Sequence, residues 1–295
     1  MKKLIVNKKY DGKKLNKFLL DNIPNLSYSL FCNTLRKKDI KVNGKRVNKD
    51  ISVFDGDEIL VYISDELLDS KSSSTSIELD IIYEDDNILV INKPANIEVT
   101  GNNSLTSLVH AYYQNASFKP MPCHRLDRNT TGLILYAKNE EALNILLEKF
   151  KNHEIEKHYL ALVYGIPDVN FKRSEAYLFK DNKKSMVYIS DTPKKGYVKI
   201  ITFFSILEKR QDNTCLLDVQ IETGKTHQIR AHLAHMGYPI IGDGKYGKND
   251  INKKFGKKTQ MLCSYSLKFN FKTDSGVLNY LDSKSFALKK AAYLK

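Results

Sequence analysis

The spacing of hydrophobic residues predicts more strands than helices in residues 78–285. Alternating apolar and polar positions predict two strands over 81–94, separated by an acidic turn and ended by Pro94. Further strands are predicted over 132–137, 158–164, 185–191, 197–207 and 214–222. Helical spacing predicts helices over 104–114, 139–151 and 226–236, and the glycine-rich residues 242–247 predict a loop. This pattern indicates an α+β domain with a mixed, mainly antiparallel sheet.

The N-terminal residues have a smaller pattern of their own. Leu15, Phe18 and Leu19 have helical spacing, and the alternation around Asn43-Gly44 predicts a β-hairpin. Residues 64–77 are rich in serine and acidic residues, as linkers often are. We therefore expect four segments, which are a small α/β module over 1–63, a linker over 64–77, a larger domain over 78–285 and a basic C-terminal tail over 286–295.

A strong positive charge narrows the choice of partner. The 295 residues include 47 Lys and Arg against 34 Asp and Glu, which gives a formal net charge of +13. Such an excess favours a polyanion, because each neutralised phosphate releases counterions. No apolar run reaches transmembrane length, and the first residues lack a signal-peptide core. We expect a cytoplasmic, monomeric protein that binds nucleic acid and no membrane.

Basic residues in the small module cluster at one helix end and along the hairpin. A cluster of this kind is either a solvated face or the electrostatic footprint of RNA binding. The segment 35–45 makes residues 12–62 resemble the RNA-binding αL module found in a small-subunit ribosomal protein. The residues expected to face RNA are Arg36, Lys37, Lys38, Lys41, Lys45 and Arg46.

One carboxylate, Asp127, lies between Arg125 and Arg128 in a polar turn before the strand 132–137. A buried aspartate beside a guanidinium group stays ionised and keeps one geometry, as a nucleophile or a base requires. A surface cluster of the same charges would contribute little. The local pattern leaves both interpretations open.

A second polar stretch, residues 222–233, combines a strand end, a glycine turn and a helix start. Backbone amides at a helix N-terminus bind anions, and Lys225 adds positive charge there. His227 and Arg230 are three positions apart, so they are expected to share one helix face. Arg230 is then either part of a structural salt bridge or the partner of a catalytic carboxylate.

The sequence predicts neither a metal nor a cofactor. His227, His232 and His235 lack the further ligands that a zinc site needs, and the four cysteines show no paired spacing. Neither of the glycine-rich phosphate-binding motifs GxGxxG and GxxxxGK[ST] occurs, so no nucleotide cofactor is expected.

Several motifs in a fixed order make residues 80–270 resemble the RluA-type pseudouridine synthase family. They are Asn92-Lys93-Pro94, His124-Arg125-Leu126-Asp127, Thr130-Thr131-Gly132, Lys157-His158-Tyr159, Thr223 to His232, Pro239 to Asp243 and Tyr246-Gly247. Asn96 stands where the family usually has glycine, but asparagine can adopt the same backbone angles.

The resemblance implies the pseudouridine synthase fold and the cofactor-free isomerisation of uridine in RNA. It makes Asp127 the catalytic aspartate, acting as a nucleophile at ribose or as a base on a sugar proton. Arg230 is then its partner, and Tyr159 stacks on the flipped base. Substrate contacts are expected from His124, Arg125, Thr131, Lys225, His227 and Gln228.

The substrate expected from the resemblance is large-subunit ribosomal RNA, because the small module accompanies family members that act on it. Transfer RNA is an alternative substrate. A non-catalytic RNA-binding factor for ribosome assembly is a second alternative, and retention of Asp127, Tyr159 and Arg230 argues against it. A hydrolase that uses Asp127 and His124 is disfavoured, since adjacent residues in an extended turn point apart.

Overall fold

The computed structural model describes residues 2–24, 26, 28–63 and 78–289. The chain divides into two compact units, residues 1–78 and 79–295. The predicted linker over 64–77 lies outside the described residues, as do residues 290–295 of the predicted tail. No helix in the described part is long and apolar enough to span a membrane.

The first unit packs two helices on a four-stranded antiparallel sheet. Its strands, in the spatial order β1-β4-β2-β3, are β1 (Lys2–Ile5), β2 (Ile40–Val42), β3 (Lys45–Arg46) and β4 (Glu58–Val61). Its helices are α1 (Leu15–Asn22) and α2 (Tyr28–Arg36). Asn43 and Gly44 form the predicted hairpin turn with φ of 49° and 78°, which an Asn-Gly pair adopts readily. Leu15, Phe18 and Leu19 are buried in the core, as their spacing predicted.

The second unit is built on one large mixed sheet. Its main path runs β11-β10-β12-β13-β9-β14-β8-β6-β5, with β15 beside β14 and β7 beside β8. The pairings are antiparallel except that of β14 with β8, which is parallel. In chain order the strands are β5 (Ile81–Glu84), β6 (Ile88–Lys93), β7 (Met121–Pro122), β8 (Thr131–Ala137), β9 (Ile155–Tyr164), β10 (Phe171–Asp181), β11 (Met186–Ser190), β12 (Val198–Lys209), β13 (Thr214–Ile221), β14 (Leu262–Phe269) and β15 (Ser285–Ala287).

Helices cover this sheet in places. They are α3 (Leu105–Tyr112), α4 (Glu140–Lys151), α5 (Gln228–His235) and α6 (Asn249–Lys254). Ala142 and Leu146 of α4 join one apolar cluster against the sheet. Ile229 and Leu233 of α5 join another, which includes Tyr159 of β9. The start of α5 is therefore held beside the middle of the sheet.

The predicted α+β class with a mainly antiparallel, mixed sheet is confirmed. Several details differ from the sequence prediction. Strands β7, β10 and β14 and helix α6 were not predicted, α5 begins at Gln228 instead of residue 226, and residues 286 and 287 of the predicted tail belong to β15. Phe286 packs against an apolar cluster, which explains why this end of the chain joins the sheet.

Candidate active site

Asp127 lies in a tight turn just before β8. The backbone N–H of Thr130 donates to the carbonyl of Asp127 at 3.1 Å. A fully buried lysine, Lys93, holds the next carbonyl, because its Nζ donates to Arg128 O at 3.0 Å as well as to Ile97 O and Pro94 O. Burial lowers the pKa of Lys93 to about 8, and the charge of Asp127 opposes that shift. The turn that carries Asp127 is thus tied to the loop after β6.

Arg128, for which the sequence suggested no role, ties the turn to the same loop. Its Nε donates to Asn96 O at 3.2 Å. Asn96 has φ of 68°, the glycine-like conformation that asparagine was expected to adopt.

Arg230 bridges Asp127 and a second carboxylate. Its Nη1 donates to Asp127 Oδ2 at 2.7 Å, and Nε and Nη2 donate to the two oxygens of Asp243 at 2.7 and 3.0 Å. Burial lowers the pKa of the guanidinium, but Asp243 and then Asp127 outweigh it and raise the pKa overall. The structure thus forms the expected pairing of Arg230 with Asp127, although 103 positions separate them.

Asp243 is a site residue that ends one of the motifs in the sequence but for which no role was predicted. Its side chain is completely buried, and Oδ1 also accepts the backbone N–H groups of Lys245 and Tyr246 at 2.8 and 3.1 Å. Burial would raise the pKa of this carboxyl, but the hydrogen bond and charge of Arg230 lower it. The signal in the sequence was an acidic residue in the glycine-rich loop 242–247, directly after an apolar run.

His227 faces the same carboxylate from the turn before α5. It is the N-cap residue of α5 and has φ of 52°, a strained conformation for a residue other than glycine. The hydroxyl of Tyr246 accepts the backbone N–H of Val187 at 2.8 Å and lies 2.8 Å from His227 Nδ1. The hydroxyl proton is therefore free for Nδ1, and the neutral ring carries its own proton on Nε2, 3.9 Å from Asp127 Oδ2.

The pKa of His227 is lowered by burial against the opposing charge of Asp127, which keeps the imidazole neutral. Arg230 and His227 both approach Oδ2 of Asp127. Oδ1 accepts no hydrogen bond from the described residues. One carboxylate oxygen is thus held in place, and the other is available to a substrate.

Gln228 was expected to contact substrate. In the structure, both its amide oxygen and its amide nitrogen form hydrogen bonds within the protein. Oε1 accepts the hydroxyl of Thr223 and the N–H of Lys225 at 2.9 and 3.2 Å. Nε2 donates to Ile201 O and Thr202 Oγ1 at 3.0 and 3.1 Å. Gln228 therefore positions the turn 223–227, and it occupies one of the amides from which an anion site was expected.

Two cavities meet at Asp127. One, of about 350 Å³, is lined by Asp127, Arg230, Tyr159 and the end of α4. The other, of about 370 Å³, is lined by Asp127, Arg230 and the loop 98–100. Tyr159 is buried, and burial followed by the charge of Asp127 raises its pKa, so the phenol stays neutral. A ligand group at Asp127 therefore has room on both sides.

The other expected substrate contacts fall into two groups. Arg125 and Lys225 are exposed at the first cavity, and His124 also lines it. Thr131 lines neither cavity. It is the first residue of β8, and its hydroxyl donates to Leu262 O at 3.4 Å. The preceding residue, Thr130, lines the first cavity instead.

His124 is held in one tautomer within the wall of the first cavity. Its Nε2 accepts the backbone N–H of Leu135 at 3.1 Å, so the proton lies on Nδ1. Burial lowers the pKa of His124 to about 3, and Nδ1 has no hydrogen-bond partner among the described residues.

In the first unit, the six predicted RNA-facing residues lie at the end of α2 and along the hairpin of β2 and β3. Lys41 is half-buried with its Nζ over the ring of Tyr62, and the other five are exposed. Within the described part of the chain, no group of three or more His, Cys, Asp or Glu side chains is arranged to hold a metal ion.

Comparisons with known proteins agree on one family. Residues 87–235 match the family model described as RNA pseudouridylate synthase. A relative named ribosomal large subunit pseudouridine synthase C, from Buchnera aphidicola subsp. Acyrthosiphon pisum, is 34% identical over 84% of this chain and 82% of its own length. The protein of the same name from Vibrio cholerae is 32% identical over 88% and 85%.

An uncharacterized RNA pseudouridine synthase from Mycoplasma capricolum is 34% identical over 96% of each chain. The solved structure of human RNA pseudouridylate synthase domain containing 1 has a TM-score of 0.57 at 23% identity, over 74% of this chain and 93% of that one. That likeness shows a shared fold. The chain belongs to the RNA pseudouridylate synthase family, and it is an enzyme that isomerises uridine in RNA to pseudouridine.

Proposed function

We propose that this pseudouridine synthase acts on large-subunit ribosomal RNA and that Asp127 reacts at the ribose of the target uridine. Relatives that align over more than four fifths of the chain are named for the large ribosomal subunit. The observation that supports the role of Asp127 is its geometry, with Oδ2 held by Arg230 and Oδ1 open between two cavities.

The isomerisation breaks the bond between N1 of uracil and C1′ of ribose and forms a bond between C5 and C1′. Asp127 promotes the first step either by attacking the sugar or by removing a sugar proton, and both routes need an ionised carboxylate at the ribose. Arg230 supplies the positive charge that pairs with Asp127 and holds its carboxylate in place. The proton on C5 leaves after the new bond forms, which restores the aromatic base.

Tyr159 is proposed to stack on the detached uracil. Its ring lines the cavity beside Asp127, and aromatic stacking on a base contributes about 1–3 kcal/mol. The target uridine must leave its own stack to enter, at a cost of a few kcal/mol. Arg125, which is exposed and lines the same cavity, is proposed to fill the gap left in the RNA.

The small module is proposed to bind RNA through its six basic residues. Replacing Arg36, Lys37 and Lys38 together by alanine removes three exposed cations at the end of α2. The dependence of log affinity on log salt concentration should then flatten by up to about 2, since each lost phosphate contact contributes about 0.7. An unchanged slope would show that this surface does not bind RNA.

The protein is further proposed to be a cytoplasmic monomer that needs no nucleotide cofactor. Purified enzyme should therefore form pseudouridine on RNA without added nucleotide, and light scattering should give the mass of one chain. Dependence of turnover on a nucleotide, or the mass of a dimer, would contradict these two statements.

The decisive experiment compares pseudouridine maps of ribosomal and transfer RNA from a deletion strain carrying the wild-type gene, Asp127→Asn or no gene. We expect large-subunit sites that appear only with the wild type. Sites confined to transfer RNA would favour the alternative substrate. Equal rescue of ribosome assembly by wild type and Asp127→Asn, with no new pseudouridine in either, would favour a non-catalytic assembly factor.

A further inference from the structure

Lys157 projects into the catalytic cavity from the strand that carries Tyr159. The two residues are separated by one position on β9, so their side chains leave the same face of the sheet about 7 Å apart. Both line the cavity that contains Asp127. The ammonium of Lys157 lies 5.0 Å from the centre of the Phe150 ring.

Lys157 differs from the two fully buried lysines of this unit, because its ammonium contacts an aromatic ring and no described anion or hydrogen-bond acceptor. Lys93 donates to three carbonyl oxygens, and Lys149 donates to Glu154 at 2.9 Å and to Thr273. Within the described residues, Lys157 has neither a hydrogen bond nor an ion pair. Burial of the uncompensated ammonium lowers its pKa to about 8.

A partly desolvated cation without a counterion is unfavourable, and an apolar side chain would pack against Phe150 at lower cost. The same wall of the cavity contains another unmatched donor, the buried Nδ1–H of His124, whose ring lies 5.0 Å from that of Phe150. Lys151 and His153 line the cavity at this end. Among the described residues, neither the ammonium of Lys157 nor Nδ1 of His124 has a hydrogen-bond acceptor, as expected where the acceptor arrives with the ligand.

We propose that Lys157 binds a phosphodiester group of the substrate RNA beside the flipped uridine. The proposal rests on the assignment of this cavity as the active site. RNA offers two kinds of acceptor, the phosphodiester anion and the carbonyl oxygens of the bases. A carbonyl would leave the charge of the ammonium uncompensated, whereas a phosphate matches both its charge and its N–H donors.

The test uses the full-length chain with Lys157→Met and Lys157→Arg, each with wild-type Asp127 and with Asp127→Asn. Exposed Lys180 of β10, which lines neither cavity, provides a matched control as Lys180→Met. Affinity for a substrate RNA fragment is measured across salt concentrations in the Asp127→Asn background. The rate of pseudouridine formation at a single site of the RNA, measured with the proteins that retain Asp127, gives kcat and KM.

Lys157→Met should weaken RNA binding and raise KM by about tenfold, the loss typical of one charged hydrogen bond. It should flatten the salt dependence by about 0.7, the contribution of one phosphate contact on a single strand. The kcat at saturating RNA should stay within about twofold. Lys157→Arg should restore most of the slope, and Lys180→Met should leave it unchanged. The free Lys157→Met protein should melt no lower than the wild type.

Three results would overturn the proposal. A fall in kcat with an unchanged salt slope would show that Lys157 acts on the charge of the base. A lower melting temperature for Lys157→Met would show a structural role. No change in affinity or slope would show that no anion binds there. If Asp127→Asn retains turnover, the assignment of the active site fails instead, and the salt slopes still decide whether Lys157 contacts a phosphate.

Discussion

The two carboxylates that share Arg230 should differ sharply in their contribution to stability. The side chain of Asp243 is 0% exposed and bonds two guanidinium nitrogens, whereas that of Asp127 is 20% exposed and bonds one. Arg230 itself is 8% exposed at its side chain. One buried positive charge therefore lies between two negative charges, and only one of these is needed to balance it.

Asp243→Asn removes the charge that balances Arg230 in the interior. The asparagine oxygen can still accept a backbone N–H, but its amide group then faces a guanidinium donor. Removing one partner of a buried ion pair costs about 3–5 kcal/mol. Asp127 remains as a partner on the more exposed side, so we expect a loss of about 3 kcal/mol in the free energy of unfolding.

Asp127→Asn leaves Arg230 balanced by Asp243 and removes the second negative charge of the group. It loses one charge-assisted bond at a partly exposed position, and the relief of repulsion between the carboxylates offsets part of that loss. We expect a change of about 1 kcal/mol or less in the free energy of unfolding. Turnover should nevertheless be lost, since a neutral amide can replace the carboxylate neither as a nucleophile nor as a base.

Urea unfolding of both variants and the wild type at pH 7 measures these differences, and pseudouridine formation on a substrate RNA measures activity. Asp243→Asn should retain residual turnover, reduced about a hundredfold because Asp127 is less firmly positioned. Equal losses of stability in the two variants would refute the argument. So would an Asp243→Asn protein with wild-type stability, since the buried pair would then contribute nothing.

Three further predictions follow from buried polar groups. Burial lowers the pKa of His124 to about 3 and that of His232 to about 4, from 6.5 in the unfolded chain. Below pH 6.5 the unfolded chain therefore binds protons before the folded protein does. The free energy of unfolding is largest above pH 6.5 and decreases as the pH falls. Below pH 6.5, each histidine should change the free energy of unfolding by about 1.4 kcal/mol per pH unit. In urea unfolding at pH 5–7, this free energy should depend less on pH for His232→Gln than for a variant at exposed His153. Tyr159→Phe should lower turnover more than RNA affinity in paired kinetic and binding assays, because stacking survives and only the hydroxyl is lost. Gln228→Leu should raise KM and destabilise the protein by about 1–3 kcal/mol in the same unfolding assay, because it leaves buried groups unpaired; unchanged stability would contradict its positioning role.

Local sequence patterns were sufficient to predict those elements whose structure depends on residues close together in the chain. The Asn43-Gly44 hairpin and the helix over Glu140–Lys151 follow from turn chemistry and periodicity. Strand β10 was missed because its exposed face carries charged residues such as Arg173 and Glu175, which obscure the buried Ala176 and Leu178. A strand at that position is stabilised by its neighbours β11 and β12, which a local pattern does not reveal.

In the candidate site too, some features could be predicted from the sequence, whereas others depend on contacts between distant residues. Motif order indicated the pairing of Asp127 with Arg230, but the role of Asp243 depends on a loop that folds back onto α5. Thr131 was expected to contact substrate, whereas the residue before it, Thr130, lines the cavity. Successive residues of an extended chain point to opposite sides, so neighbouring positions differ in whether they reach the cavity.

The position of Asp127 depends finally on a contact that no local pattern contains. Gly132 lies five positions after Asp127 and has φ of 105°, and β8 runs parallel to β14 there, pairing Gly132 with Ser264. A Cβ atom at Gly132 would lie 2.2 Å from the backbone oxygen of Ser264, so only glycine permits this approach. β14 also pairs with β9, which carries Tyr159 and Lys157. The close approach at Gly132 therefore sets the distance between the turn that holds Asp127 and the strand proposed to receive the base.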